Sequence, residues 1–433
     1  MSDARRWSIV GLLFVASLIN YLDRATISIA LPLISRDLRL DPTGKGVLLS
    51  AFFWSYALMQ IPIGWSADRF NLKWLYAGTF AIWSFAQGLA GIARSLFVLI
   101  LTRIVLGVGE SIYLPGGTKI VTLLFPPEKR GLPSGLFDFG TRCGMALGGI
   151  LIPILLVHYG WRVSFLLIGF AALLWLMPWF AVFPSRIRER QKEVKEKALS
   201  AQRPSLSEAS PNSELQARAR PEKAADRHGF SGLALNRDLI GICLGFFCFD
   251  YYWYLFVTWL PDYLVTVRHL TILKAGLYSA VPFLVFGVSE PLGGWIADRL
   301  IRHGYDETRT RKGLVTAGFL TGLLLIPAEH VASASAAIWL IVGASLVGLA
   351  TGNLIVILQC CAPTEKVGLW TGFENFSGNI AGILAPLLTG ILITRTGSYS
   401  PGFQLAVVVL LCGLASYWFI VGELRPKTAL GRD

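Results

Sequence analysis

Long apolar runs separated by short polar breaks follow one another along the 433-residue chain. We count twelve runs near the ~20 residues that an α-helix needs to cross a hydrocarbon core about 30 Å thick. They cover 7 to 33, 47 to 66, 74 to 93, 96 to 118, 132 to 157 and 163 to 183, then 239 to 264, 275 to 297, 313 to 329, 335 to 358, 369 to 394 and 402 to 422. Each run is continuously apolar instead of alternating, which argues against the period-two strands of a membrane β-barrel. The fold class expected is therefore an all-α membrane protein of twelve transmembrane helices. Between 184 and 237 the sequence turns polar, with Ser, Pro and mixed charge. This predicts an N-terminal six-helix bundle over 1–183, a cytoplasmic linker over 184–237 and a C-terminal six-helix bundle over 238–433.

Composition agrees: the chain is 54% hydrophobic and 15% charged, with mean hydropathy +0.57. A formal net charge of +12 raises the question of nucleic acid, but the basic residues fall on one side of the predicted topology. Arg5, Arg6, Arg69, Lys73, Lys129, Arg130, the 184–237 segment, the stretch from Arg299 to Lys312, Arg425 and Lys427 all lie on that side if both termini are cytoplasmic. The charge thus reports orientation, and no nucleic-acid partner is expected. The six cysteines lie in apolar runs and form neither a disulfide framework nor a metal spacing, so inert core thiols are expected and no metal or cofactor. The first run has no small-residue cleavage site and reads as a retained helix. With no targeting signal, the plasma membrane (a bacterial inner membrane) is the expected location, and a monomer the expected state.

"GWSADR", Gly64 to Arg69, follows the second run and recurs as "GWIADR", Gly294 to Arg299, after the eighth. A matching motif at a matching place marks an internal duplication. Two six-helix repeats describe the major facilitator architecture, and Gly64, Asp68, Arg69 and Lys73 resemble the loop signature of that superfamily. The resemblance implies that these residues, with Asp298 and Arg299, gate the cytoplasmic side.

Ionisable residues also stand inside the runs. Asp23 and Arg24 interrupt the first, and Arg103 and Glu110 the fourth. Charges at bilayer depth face a protein interior or a water-filled cavity and point to function. Positions 103 and 110 are seven apart, so they project from nearly one helix face, about 10 Å apart along the axis. Two structural ion pairs, Asp23 with Arg103 or Arg24 with Glu110, are the plainer alternative, although such pairs contribute little to stability. In the fifth run Asp138 and Arg142 are four apart. They fit either an i, i+4 pair or a second cation for a substrate with two carboxylates or a phosphate. Asp250, Glu290 and Glu374 are further acids of the second half; Glu290, near Gly294 and Asp298, suggests gating, and Asp250 a place near a cavity.

"NYLDR" from Asn20, "SAFFWSYALMQIPIGWSADR" from Ser50, "RIVLGVGES" from Arg103, "FPPEKRG" from Phe125, "TWLPDYL" from Thr258 and "ENFSGNIAGILAP" from Glu374 carry a closer resemblance over most of the chain except the linker. They are similar to the anion:cation symporter family, which includes bacterial galactonate, glucarate and hexuronate:proton symporters and animal sialic acid, vesicular glutamate and phosphate carriers. This implies that Asp23 and Glu110 carry protons and that Arg24 and Arg103 meet the substrate or hold an acid. Tyr56, Asn375 and Asn379 match polar positions facing a sugar acid. Tyr251 and Tyr254 can close over the substrate or simply pack.

The expectation is a secondary transporter working by alternating access: proton-coupled symport of an organic anion such as an aldonate, hexuronate or aldarate. Its partners are the anion, protons and the lipid bilayer. An exchanger or uncoupled facilitator for a dicarboxylate or phosphate ester is the alternative. No nucleophile motif, metal cluster or phosphate loop suggests an enzyme.

Overall fold

The computed structural model describes residues 1–125, 131–184, 236–363 and 367–424, and among these every regular element is helical. The predicted linker and most of "FPPEKRG" lie outside the described residues. The helices are α1 (Asp3–Leu38), α2 (Pro42–Arg69), α3 (Leu72–Ala90), α4 (Leu96–Glu110), α5 (Tyr113–Leu124), α6 (Gly131–Ala172) and α7 (Leu176–Val182). After 236 come α8 (Arg237–Thr266), α9 (Ile272–Arg302), α10 (Glu307–Thr321), α11 (Leu325–His330), α12 (Ala334–Ala344), α13 (Thr351–Cys361), α14 (Val367–Thr396) and α15 (Ser400–Phe419). Among the described residues ten segments are long and apolar enough to cross a membrane.

Local chemistry sets the ends. The Asp41 side chain accepts from Gly44 N at 2.9 Å, and Pro42, whose missing N–H costs nothing in a first turn, opens α2. The run expected over 96 to 118 is two helices, α4 and α5. Pro115 has no N–H to give the carbonyl of Ser111, so the ladder breaks there while Ser111 and Ile112 keep right-handed helical dihedrals. Within α6, Gly160 adopts φ 71°, a conformation that glycine takes without a steric penalty, and ends the fifth predicted run.

Large apolar side chains such as Leu58, Ile61, Phe97, Met177, Trp339 and Phe419 are exposed, as expected of a surface that meets lipid. Polar residues are drawn inside: Asp23, Glu110, Asp262, Asn20 and Gln87 are fully buried. The thiols are less uniform than expected; Cys248 is buried, but Cys412 is exposed and the other four are half-buried.

One end of the helix assembly is sealed between elements on either side of the 184–237 segment. Lys45 Nζ of α2 donates to both carboxylate oxygens of Asp262 on α8 at 3.0 Å, and the Tyr399 hydroxyl donates to the same carboxylate at 2.5 Å. Nearby, Thr43 N donates to Thr394 Oγ1 at 3.0 Å. Gly46 packs against α14 so closely that a methyl group there would lie 2.6 Å from the Pro386 carbonyl oxygen and 3.3 Å from Gly390 Cα. Small residues of this kind let membrane helices approach backbone to backbone.

Candidate functional site

Helices α1 and α4 bring the four expected charges together. Asp23 is 0% exposed, and neither of its carboxylate oxygens has a hydrogen-bond partner. The adjacent Arg24 turns away from it: Nε donates to Glu110 Oε2 at 3.1 Å. Its guanidinium lies over the rings of Tyr21 (4.8 Å), Phe52 (4.6 Å) and Tyr56 (4.8 Å). Phe52 and Tyr56, one turn apart on α2, stack at 5.1 Å. Ring faces attract a cation, by about 2 kcal/mol where water is excluded, so this box holds Arg24 in place while its Nη2 stays buried without a partner.

Arg103 does not pair with Asp23. Its Nη2 donates to Gln87 Oε1 of α3 at 2.5 Å, and its Nε is buried and unpartnered. Of the two ion pairs the sequence left open, Arg24 with Glu110 forms and Asp23 with Arg103 does not.

A cavity lies among these helices. Its wall takes Tyr21, Arg24, Ser28, Phe52, Phe53 and Arg103 from the first half of the chain, Met145 from α6, and Trp253, Tyr254 and Thr258 from α8. It is thus an aromatic chamber with two guanidinium groups, a surface suited to a carboxylate carried on a small polar body. Tyr254 closes it, with its ring 4.5 Å from Phe53. Tyr251, expected beside it, does not line this cavity; it is buried with an unpartnered hydroxyl. Asn375 and Asn379 are likewise not in this wall, since each donates its amide to the backbone carbonyl one turn back on α14, at 3.2 and 2.8 Å. Asn379 keeps a buried, unpartnered Oδ1.

Of the two readings left open for Asp138 and Arg142, the i, i+4 pair is not made. Arg142 instead donates from Nη2 to Glu290 Oε2 of α9 at 2.6 Å, a partner 148 residues away. The acid that sequence placed with the gating motif therefore meets a cation of the other half. Asp250 is buried, and no hydrogen bond or ion pair of its carboxylate is seen.

At the motif end, Arg69 lies over Trp65 (4.2 Å) and Arg299 over Trp295 (5.3 Å), so the duplicated sequence repeats a local geometry. Gly64 and Gly294 face open space. Lys73 Nζ donates to the Phe180 carbonyl at 2.9 Å, and Asp298 pairs with Arg311 at 3.0 Å. The Asp68 side chain lies outside the described residues. Sequence reasoning missed Gln87, Phe52, Trp253, Lys45, Asp262 and Tyr399. Two of them carried a readable signal, a Gln and an Asp inside otherwise apolar runs.

The model of the Major Facilitator Superfamily matches residues 13–361. The chain belongs to that superfamily. Members of this superfamily are transporters, and the chain is a multi-pass membrane transporter, not an enzyme. It is 30% identical over 424 residues to the uncharacterized transporter YybO of Bacillus subtilis, covering 97% of this chain and 95% of that one. To the probable galactarate/D-glucarate transporter GudP of the same organism it is 30% identical over 430 residues, with 97% and 92% covered. Among solved structures, an inward-facing, unoccupied bacterial homolog of the human lysosomal transporter Spinster superposes with a TM-score of 0.77 at 20% identity, covering 97% of this chain and 98% of that one. These relatives agree with the anion:cation symporter resemblance.

Proposed function

We propose that this transporter is a proton-coupled symporter of a sugar acid, working by alternating access from a bacterial inner membrane. The observation that carries the reading is Asp23, a fully buried carboxylate without a partner beside an arginine that is already held. An ionised carboxylate so placed costs several kcal/mol, and binding a proton removes that cost. Asp23 then takes a proton, Glu110 takes another when the anion displaces it from Arg24, and Arg24 with Arg103 holds the anion. Tyr254 holds the sugar body, with Tyr56, Tyr251, Asn375 and Asn379, none of them in the cavity wall, reaching it as the bundles rock.

Twelve spans support this mechanism. The ten apolar segments include Pro133–Val182, whose 50 residues would run about 75 Å as one helix, more than two membrane cores. Divided at Gly160 it makes eleven, and the 19-residue α3, less apolar because of Lys73 and Gln87, makes twelve. Arg5 Nε donates to Val182 O at 2.7 Å and Gly422 N to Asp238 Oδ1 at 2.8 Å, so the outer ends of each six-helix set gather together. Both termini then lie on the cytoplasmic side with the Gly64 and Gly294 motifs and the linker. The substrate class rests on the galactarate and D-glucarate of the named relative, both dicarboxylates.

Uptake of labelled aldarates and aldonates into proteoliposomes, with and without an inward proton gradient, tests the reading. Gradient-driven uptake should vanish in Asp23→Asn while counterflow exchange survives. Uptake that ignores the gradient, with Asp23→Asn transporting normally, would return the protein to the exchanger or facilitator class.

A further inference from the structure

Arg142 and Glu290 form an ion pair that a purely structural role explains poorly. It is made through one bond of 2.6 Å, and its two side chains keep 19% and 18% of their surface exposed. The other fork of the guanidinium is free to bind, and its plane lies 5.3 Å from the Phe286 ring, as Arg24 lies over its own aromatic residues. Tyr21 lies under Arg24 and also feels the charge of Arg142. Two arginine forks, each capped by one glutamate, therefore flank one aromatic residue of the cavity: Arg24 with Glu110, and Arg142 with Glu290.

We infer that Arg142 receives the second carboxylate of a dicarboxylate substrate, and that Glu290, displaced from it, takes one additional proton. The argument rests on the symport reading above. The charges around Arg142 require the proton. Glu290 contacts it, Asp138 stands one turn away on α6, and Asp250 of α8 is within its electrostatic reach. When a substrate carboxylate takes the fork, Glu290 is left beside Asp138 and the incoming anion with its cation engaged. Neighbouring like charges disfavour ionisation.

Among the described residues no other cation is placed to take over. Of the elements packed against α9, α10 brings Arg311, committed to Asp298, Glu307 and Asn353, Lys312, which donates to the Val421 carbonyl, and Arg309, which is exposed. Helix α6 brings Arg162, paired with Asp37, and α8 brings Arg237, which donates to the Phe419 carbonyl. Helix α12 and residues 345–350 bring no charge, and α13 brings only Cys360 and Cys361, at the Glu307 end. A monocarboxylate fills the Arg24 and Arg103 site only, leaves the Arg142–Glu290 pair closed and carries no additional proton. The pair thus sets both specificity and stoichiometry. Because it joins α6 to α9 across the two halves, its opening also ties the arrival of the second carboxylate to their separation.

The test is the proton-to-substrate ratio, from the potential at which net flux stops in proteoliposomes, for an aldarate and for an aldonate. Wild type should move one proton more per aldarate than per aldonate. In Glu290→Gln the two ratios should become equal, with aldarate still bound, because Arg142 no longer holds a competing carboxylate. In Glu290→Asp the additional proton should remain. Should Glu290→Gln prove inactive in transport, proton uptake on aldarate and aldonate binding to detergent-solubilised Glu290→Gln and wild type, read with an indicator dye, supplies the same comparison without turnover. Equal ratios for the two acids in wild type, or an additional proton that persists in Glu290→Gln, would overturn the inference and leave symport standing. A wild type with no gradient-driven uptake of either acid would remove the symport reading, and this inference with it.

Discussion

Among the described residues two ion pairs join the halves of this transporter, and their surroundings differ. Lys45 and Asp262 are 11% and 0% exposed; both carboxylate oxygens accept from the ammonium, and Tyr399 adds a third bond. Arg142 and Glu290 share one bond at roughly 19% and 18% exposure. The first is fully satisfied within the protein, so a substrate has nothing to add to it. The second leaves donors and lone pairs open on both partners, and an anion can compete there. Satisfaction of hydrogen-bonding capacity, more than the presence of opposite charges, separates a pair that closes the molecule from one that can exchange.

The contrast is most easily broken at Asp262. Asp262→Ala leaves Lys45 buried without its counter-charge, at a cost of about 3–5 kcal/mol to the sealed conformation. A thiol at Ser28→Cys in the cavity wall should then become reactive to an impermeant reagent from the sealed side, and transport should fall; unchanged labelling would show that the pair does not hold this end. The double variant Lys45→Met/Asp262→Leu, which replaces charge by apolar packing of similar size, should recover most of the closure. Tyr399→Phe removes one hydrogen bond to a charged acceptor and should cost about 1.5–3 kcal/mol, visible as an intermediate labelling rate. Thr43→Val keeps the backbone bond to Thr394 but removes the neutral one between the two hydroxyls, 2.7 Å apart, and should cost about 0.5–1 kcal/mol, close to the limit of the same assay. If this ranking failed, with Thr43 outweighing Asp262, backbone packing and not the ion pair would be closing this end.

Much of the architecture was legible in the sequence because the bilayer imposes it. Every span must satisfy its own backbone and present apolar side chains, and this writes a signal about twenty residues long at each crossing. The Gly64 and Gly294 motifs were legible for a similar reason, since each folds as a local unit with Trp65 under Arg69 and Trp295 under Arg299. The charged residues were also readable as a set. Which of them meet was not, because helix geometry governs only neighbours three or four positions apart. It favours Arg142 with Asp138, whereas packing of α6 against α9 supplies Glu290 at 2.6 Å. In the same way Arg103 finds Gln87 on α3, a contact set by how two spans cross and absent from either span alone. Lys45 lay just outside its predicted run and Asp262 inside another, so neither drew notice until tertiary structure placed them together.

The contact of Gly46 with α14 carries a consequence for leak. Where Gly46 meets the Pro386 carbonyl and Gly390, two peptide backbones close on each other with no room for a methyl group, and so none for a file of water along which protons hop. A carrier that draws on the proton gradient wastes it through any such wire, and here tightness depends on the smallest side chains in the seal. Ala at position 46 would wedge the seam apart and make the membrane itself conductive to protons, a short circuit that consumes the gradient even when no cargo is present.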